Sequence, residues 1–383
     1  MIILFLFFGI ILGTIAGLIP GLHSNNITKI ALLAPLFGIE GLVLILAMGI
    51  IQSFVDFIPS VFFGAPDSDT FEGVLPGHKM FLEGEGFQAI NLTVFGGVIA
   101  GIISLVTIFI FTQFIQISSE VFPLMIPPIL IFSILTLVFL ENTTKKKFIA
   151  FLIICASATQ GLLFSGQIFP LITGYFGLAT ILNSQKEKKI TQKINTTLDK
   201  NYIFDALSGT IGGAIVAIMP GIGNNLAAAI IKLFREKIPS KNYLVLLGSI
   251  NTSNFIFSFP MLFFLNKARN GTMLFIKEES ILTNQTFIVG LITILISIGI
   301  GAIITIILSK KISKANINFG KIEKIIFCML ILLVFVFNGI LGLIALFFST
   351  TLGFLTVKLN VKRSNCLGFL IVPVLFFYLF VLI

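Results

Sequence analysis

Apolar runs of about twenty residues recur along this chain from end to end, each long enough to cross roughly 30 Å of hydrocarbon. The clearest cover residues 90–114, 121–140, 287–308 and 366–382. Across the 383 residues 57% are hydrophobic, 11% are charged and 43 are Phe. A soluble domain of that size needs far more polar surface around its core. The sequence therefore predicts an all-α polytopic membrane protein. The first run lacks a basic leader and a small-residue cleavage pattern, so it reads as a retained helix. Cys155, Cys328 and Cys366 lie inside apolar runs and read as core packing. With no CxxC pair or Cys/His cluster, neither a disulfide framework nor a metal site is indicated, and no cofactor is implied. The net charge of +9 sits in short loops between apolar runs. That is the positive-inside bias of a membrane protein, not a nucleic-acid surface.

The chain repeats itself weakly at an offset of about 200 residues. "GLIPGLHSNNI" at 17–27 answers "AIMPGIGNNLA" at 217–227, and "GTIAG" at 13–17 answers "GTIGG" at 209–213. "FIPSVFF" at 57–63 matches "SFPMLFF" at 258–264, and "FPLITGYFGL" at 169–178 is paired with "VPVLFFYLFV" at 372–381.

Loop charges then set the two copies against each other. Residues 36–41 carry no Lys or Arg, whereas 232–241 read "KLFREKIPSK". Residues 113–120 and 163–167 have no basic residue, whereas their counterparts 310–324 and 358–363 are basic. Conversely "TTKKK" at 143–147 is basic and its counterpart near Asn338-Gly339 is not. Basic loops mark the cytoplasmic side, so equivalent loops fall on opposite faces. The expectation is two inverted-topology repeats, 1–183 and 201–383, joined by a basic cytoplasmic connector at 184–200. One pair disagrees: the alternation puts 64–86 inside and 266–279 outside, although the second carries Lys267, Arg269 and Lys277. These two segments are expected to fold back toward the membrane.

Pro and Gly break a helix, and a break at membrane depth costs several kcal/mol unless protein, water or ligand satisfies the freed backbone. Here the break stands at corresponding places in both copies, and each is followed by clustered amides. That is the sequence sign of a transporter site near the bilayer midplane, lined by broken or re-entrant helices. The candidate substrate-binding residues are Pro20, Gly21, His23, Ser24, Asn25 and Asn26 in one copy, and Pro220, Gly221, Gly223, Asn224 and Asn225 in the other. A restarting helix aims N–H groups and a positive dipole end into the cavity, which suits an anion. The amide and backbone carbonyls suit a bound Na⁺.

Asp56 stands within an apolar run, and an ionisable group at that depth is a candidate for ion or proton coupling. The matching region of the second copy offers Asn251, Thr252, Ser253 and Asn254 without an acid. Asp67, Ser68, Asp69 and Thr70 form an acidic loop that lacks the spacing of a calcium-binding loop and reads as an entry or cation-contacting segment. His23, beside Pro-Gly, is a candidate proton relay, and His78 reads as a surface residue. No Ser/His motif or paired-aspartate signature lies in the helices, so an intramembrane enzyme is disfavoured. A channel or a scaffold is the other rival.

The stretch "GTIAGLIPGLHSNNITKIALLAPLFG" at 13–38 resembles the opening signature of the TctA family, the large permease subunit of tripartite tricarboxylate transporters. "GAPDSDTFEGVLPGHKMFLEGEGFQAI" at 64–90 resembles that family's acidic loop, with Asp67 where a Gly is usual and Glu72-Gly73 in place of Asp-Gly. "FPLITGYFGLATIL" at 169–182 and "TLGFLTVKLNVKRSNCLGFLIVP" at 351–373 resemble the ends of its two halves. The chain is similar to a compact, archaeal-type branch. The resemblance implies a secondary permease for a small carboxylate anion in the cell membrane, driven by a Na⁺ or H⁺ gradient. It further implies a small membrane subunit and an extracytoplasmic binding protein as partners, and a homodimer is a candidate assembly.

Overall fold

A computed structural model describes residues 1–19, 38–64, 71–118, 122–139, 141–183, 190–218, 223–235, 238–268, 270–279, 282–315 and 319–382. The described residues are mostly helical, with no strand among them. In the first half α1 (Ile2–Leu18) is followed by α2 (Ile39–Val55) and its short continuation α3 (Phe57–Phe63). Next come the short α4 (Phe71–Leu82), the long α5 (Gly86–Ser118), and the arms α6 (Phe122–Phe139) and α7 (Thr144–Leu163). This half closes with α8 (Ile168–Ile172), a π-helical turn (Thr173–Leu178) and α9 (Ala179–Asn183). The second half runs α10 (Tyr202–Ile218), α11 (Asn224–Phe234), α12 (Ser240–Leu265), α13 (Gly271–Glu279), α14 (Asn284–Lys314) and α15 (Phe319–Lys358). A 3₁₀ turn (Arg363–Leu367) and α16 (Gly368–Leu382) end it.

Among the described residues seven helices are long and apolar enough to cross a membrane. The chain is a multi-pass membrane protein. One of the seven, the apolar stretch within α15, is itself a hairpin. Gly339 has φ 62° and ψ −155°, a conformation closed to residues with a Cβ. A Cβ on Gly342 would stand 3.3 Å from Val334, eight residues back, so the chain doubles on itself there. Each arm is then about as long as the bilayer core is thick.

Two spans sit inside all the others. Ile39–Phe63 is wholly buried and Ser240–Leu265 almost so, whereas the other candidate spans are only 28–44% buried. Around this pair the packing is reciprocal: α1 lies on α2 and α10 on α12, while α5 crosses over to α12 and α14 crosses over to α2. The outer elements swap in the same way. A Cβ on Gly161 of α7 would collide with the carbonyl oxygen of Phe369, and one on Gly353 of α15 with that of Tyr175. Gly174 abuts Ser349, and Gly368 abuts Ser157. "SATQG" at 157–161 and "STTLG" at 349–353 thus fill matching places, and so do Gly174-Tyr175 and Gly368-Phe369. Packing registers the two ends at that offset. It differs from the pairing of 169–178 with 372–381, which followed Pro and aromatic identities that packing does not use.

The loops meet in pairs too. Glu141 accepts from the backbone N–H of Lys362 at 2.8 Å and from Asn365 at 3.0 Å, which joins the loop before Lys145–Lys147 to the basic turn at 358–363. Asn338 donates to Gln167 at 2.7 Å, which joins the two neutral loops. The connector is tied down as well. Gln192 accepts from Gly86 N–H (2.8 Å) and donates to the Phe81 carbonyl (2.9 Å), and Gln88 exchanges two bonds with Thr197. The segments expected to fold back are the short helices α4 and α13, both packed on the bundle.

Candidate functional site

The inner pair of spans carries the polar residues. Pro59 lacks the N–H that would bond the Val55 carbonyl, and the helix is interrupted one turn earlier, at Asp56. That residue is 3% exposed. Asn251, in the unbroken middle of α12, is 4% exposed and reaches across from the other half. Its side-chain amide donates to the Ser53 carbonyl at 3.0 Å and to the Asp56 carboxylate at 3.2 Å.

The line continues. Asn224 donates to the Asn251 oxygen at 2.8 Å, and Asn254 donates to the Asn224 oxygen at 2.8 Å. A carboxylate only accepts, so Asp56 at one end fixes the direction of all three amides. Every N–H points toward the carboxylate, and each bond polarises the next. The far end is an open acceptor, since the Asn254 oxygen is buried and has no hydrogen-bond partner. Chemically the array runs from a carboxylate at Asp56 to one open carbonyl oxygen at Asn254, a buried polar path that joins the two halves.

Asn224 opens α11. The preceding helix ends at Ile218, and Gly223 is extended (φ −88°, ψ 168°), so the expected helix break lies between α10 and α11. Asn225 is buried beside it. Pro220 and Gly221 fall outside the described residues, as do Pro20, Gly21, His23, Ser24, Asn25 and Asn26, and Asp67, Ser68, Asp69 and Thr70. In the first half α1 stops at Leu18, with Ile19 extended. The "GTIAG" and "GTIGG" repeats explain how these helices come so close. A Cβ on Gly17 would stand 2.7 Å from Val55 and 3.0 Å from the Asp56 nitrogen. One on Gly213 would stand 2.7 Å from the Asn254 nitrogen and overlap the Ser253 hydroxyl. In each half the glycine face lies on the polar turn of the following helix.

Ser253 bonds only to backbone carbonyls of its own helix, so it packs without joining the amide line. Asp205 was missed by the sequence reading. It is 1% exposed, accepts from Arg235 (2.6 Å) and Asn242 (2.6 Å), and pins the far end of α11 to α10 and α12. An acid in the first turn of an apolar helix was its only sign. His78, expected at the surface, is half-buried, with Nδ1 3.0 Å from the Val61 carbonyl. Two of the three cysteines also depart from expectation: Cys366 is buried, whereas Cys155 and Cys328 face outward.

Over residues 3–368, nearly the whole chain, the sequence matches the model of the tripartite tricarboxylate transporter TctA family. The chain belongs to that family. It is also similar to an uncharacterized protein of Methanocaldococcus jannaschii, 30% identical over 98% of this chain and 99% of the relative. No solved structure matches. Members of the TctA family are components of transporters rather than enzymes, and the amide line joins the two inner spans, Ile39–Phe63 and Ser240–Leu265, to the first residue of α11.

Proposed function

We propose that the chain is a secondary permease that carries a small carboxylate anion of the di- or tricarboxylate class across the cell membrane. A Na⁺ or H⁺ gradient drives it, and the two repeats alternate access around the α10–α11 break and its counterpart after α1. The observation that carries this reading is the buried line Asp56–Asn251–Asn224–Asn254. It couples an acid of one half to a helix tip of the other. A cation or proton arriving at Asp56 weakens the acceptor that orients the three amides, and the tip at Asn224 is released to rearrange. The tip's N–H groups and positive dipole end then receive the carboxylate.

Opposite orientation of the halves is supported by the loops, because the two basic turns share one face (Glu141 with Lys362) and the two neutral turns share another (Asn338 with Gln167). A small membrane subunit and an extracytoplasmic binding protein are the proposed partners, and a homodimer the proposed assembly. The test is uptake of radiolabelled citrate and succinate into proteoliposomes under imposed Na⁺ or pH gradients. Saturable accumulation that collapses with the gradient is expected, whereas passive, non-saturating flux would make the protein a channel. Labelling of single cysteines at Glu40 and Lys237 from opposite sides is expected; labelling from one side removes the inverted repeat.

A further inference from the structure

An apolar groove lies among residues other than those of the amide line. Its walls are the two arms of α15 and the segment of the π-turn and α9, and it encloses about 590 Å³. Phe327 and Ile331 come from one arm, Leu343 and Phe354 from the other, and Leu178 and Leu182 from the third wall. The groove asks nothing polar of its occupant. Its two hydroxyls, Thr350 and Thr351, already donate to the Leu346 and Phe347 carbonyls.

The groove has a length and a polarity. From Leu343 to Phe354 the wall rises about 16 Å at ~1.5 Å per residue. That is the middle of an arm that runs from Gly339 to Lys358. Because α15 is a hairpin, its two ends lie together, and each end carries a lysine one turn beyond the groove. Lys324 precedes Phe327, and Lys358 follows Phe354 and folds its ammonium over that ring, 5.3 Å from the centroid. Neither lysine pairs with a carboxylate among the described residues. The other end of the groove, near Gly339, has no such charge.

We propose that this groove holds an acyl chain of one anionic phospholipid, with its phosphate between Lys324 and Lys358. A membrane-spanning partner helix would leave two lysines facing no anion. A single anionic lipid with its headgroup at the lysine end satisfies the dry walls and the charge together.

The test uses the full chain purified in neutral detergent, with bound lipid counted by native mass spectrometry. Dioleoylphosphatidylglycerol and dioleoylphosphatidylcholine, identical in their chains, are titrated in parallel. The phosphatidylglycerol is expected to be retained about ten- to thirtyfold more tightly, and K324Q/K358Q to bring it down to the phosphatidylcholine level. T351W, at an exposed position that directs an indole into the groove, is expected to displace both lipids, while T351V retains them. Should T351W fail to fold, L182W fills the groove from the opposite wall. Equal retention of the two lipids by the natural chain overturns the proposal. So does a phosphatidylglycerol preference that survives in K324Q/K358Q, or lipid that stays bound in both groove-filling variants.

Discussion

The two inner spans hold equivalent positions and are enclosed to nearly the same degree, yet they differ in what they contain. The span of the first half is interrupted and carries one acid in its interior, Asp56; that of the second is continuous and carries in its interior a run of amides and hydroxyls without a charge. Phe257 stands in the second half where the repeat would put a second acid. The difference teaches that the scaffold is doubled but the charge is not. A second acid at this depth would carry its own desolvation cost, and the second half instead meets the one acid with a line of neutral amides.

The sharpest way to break this contrast is to remove its meeting point. Asn251→Leu strands a buried carboxylate on one side and the Asn224 amide on the other, and is expected to cost about 3 kcal/mol and abolish uptake. Asp56→Leu combined with Asn251→Leu leaves no buried charge and is expected to recover most of the thermal stability without recovering uptake. If the two losses simply add, the residues do not work as a pair. Next in size is the close approach on the second half's side. Gly213→Ala forces a methyl onto Ser253 and Asn254 and is expected to cost roughly 1–3 kcal/mol, read in the thermal midpoint. The amide line shifts with it, so uptake should fall further than in a Gly161→Ala variant of similar stability, which lies in the outer packing.

Asp56→Asn tests the charge alone. The shape and one carbonyl acceptor stay and the charge goes, so the protein should unfold within about 1 kcal/mol of the natural chain while uptake loses its dependence on Na⁺ or pH. Unchanged ion dependence would take this residue out of the coupling. The smallest effect is expected at Arg235, whose side chain is 42% exposed. Arg235→Gln should cost under about 1 kcal/mol and leave uptake in place, because solvent already screens the guanidinium and Asn242 still serves Asp205.

Much of this was legible in the sequence, because hydrocarbon imposes a length that apolar runs must meet. Family membership was legible in the same way, from motifs spread along the chain. The fold-back of α15 was not, since nothing but Asn338-Gly339 interrupts its apolar run and the turn needs only one glycine with positive φ. The outward faces of Cys155 and Cys328 were misread for a related reason: next to lipid, apolar surroundings are no sign of burial. Asp56, Asn224 and Asn254 were each visible as misplaced polar groups. Their joining through Asn251 was not, because a hydrogen bond between residues 195 apart leaves no local pattern.

The enclosure of Ile39–Phe63 also bears on how the protein is made. A ribosome adding about 5–20 residues per second takes on the order of ten to thirty seconds to go from that span to Ser240–Leu265. Throughout that interval the first span is in the membrane without the neighbour that covers it, and Asp56 has no Asn251. On the insertion scale an acid in mid-helix costs about 2.5–3.5 kcal/mol, which a span this apolar tolerates while it waits. The bonds that complete the polar line therefore form last, after the second half arrives. A nascent chain stalled before Ser240 should be the form that depends most on insertion machinery to shelter it.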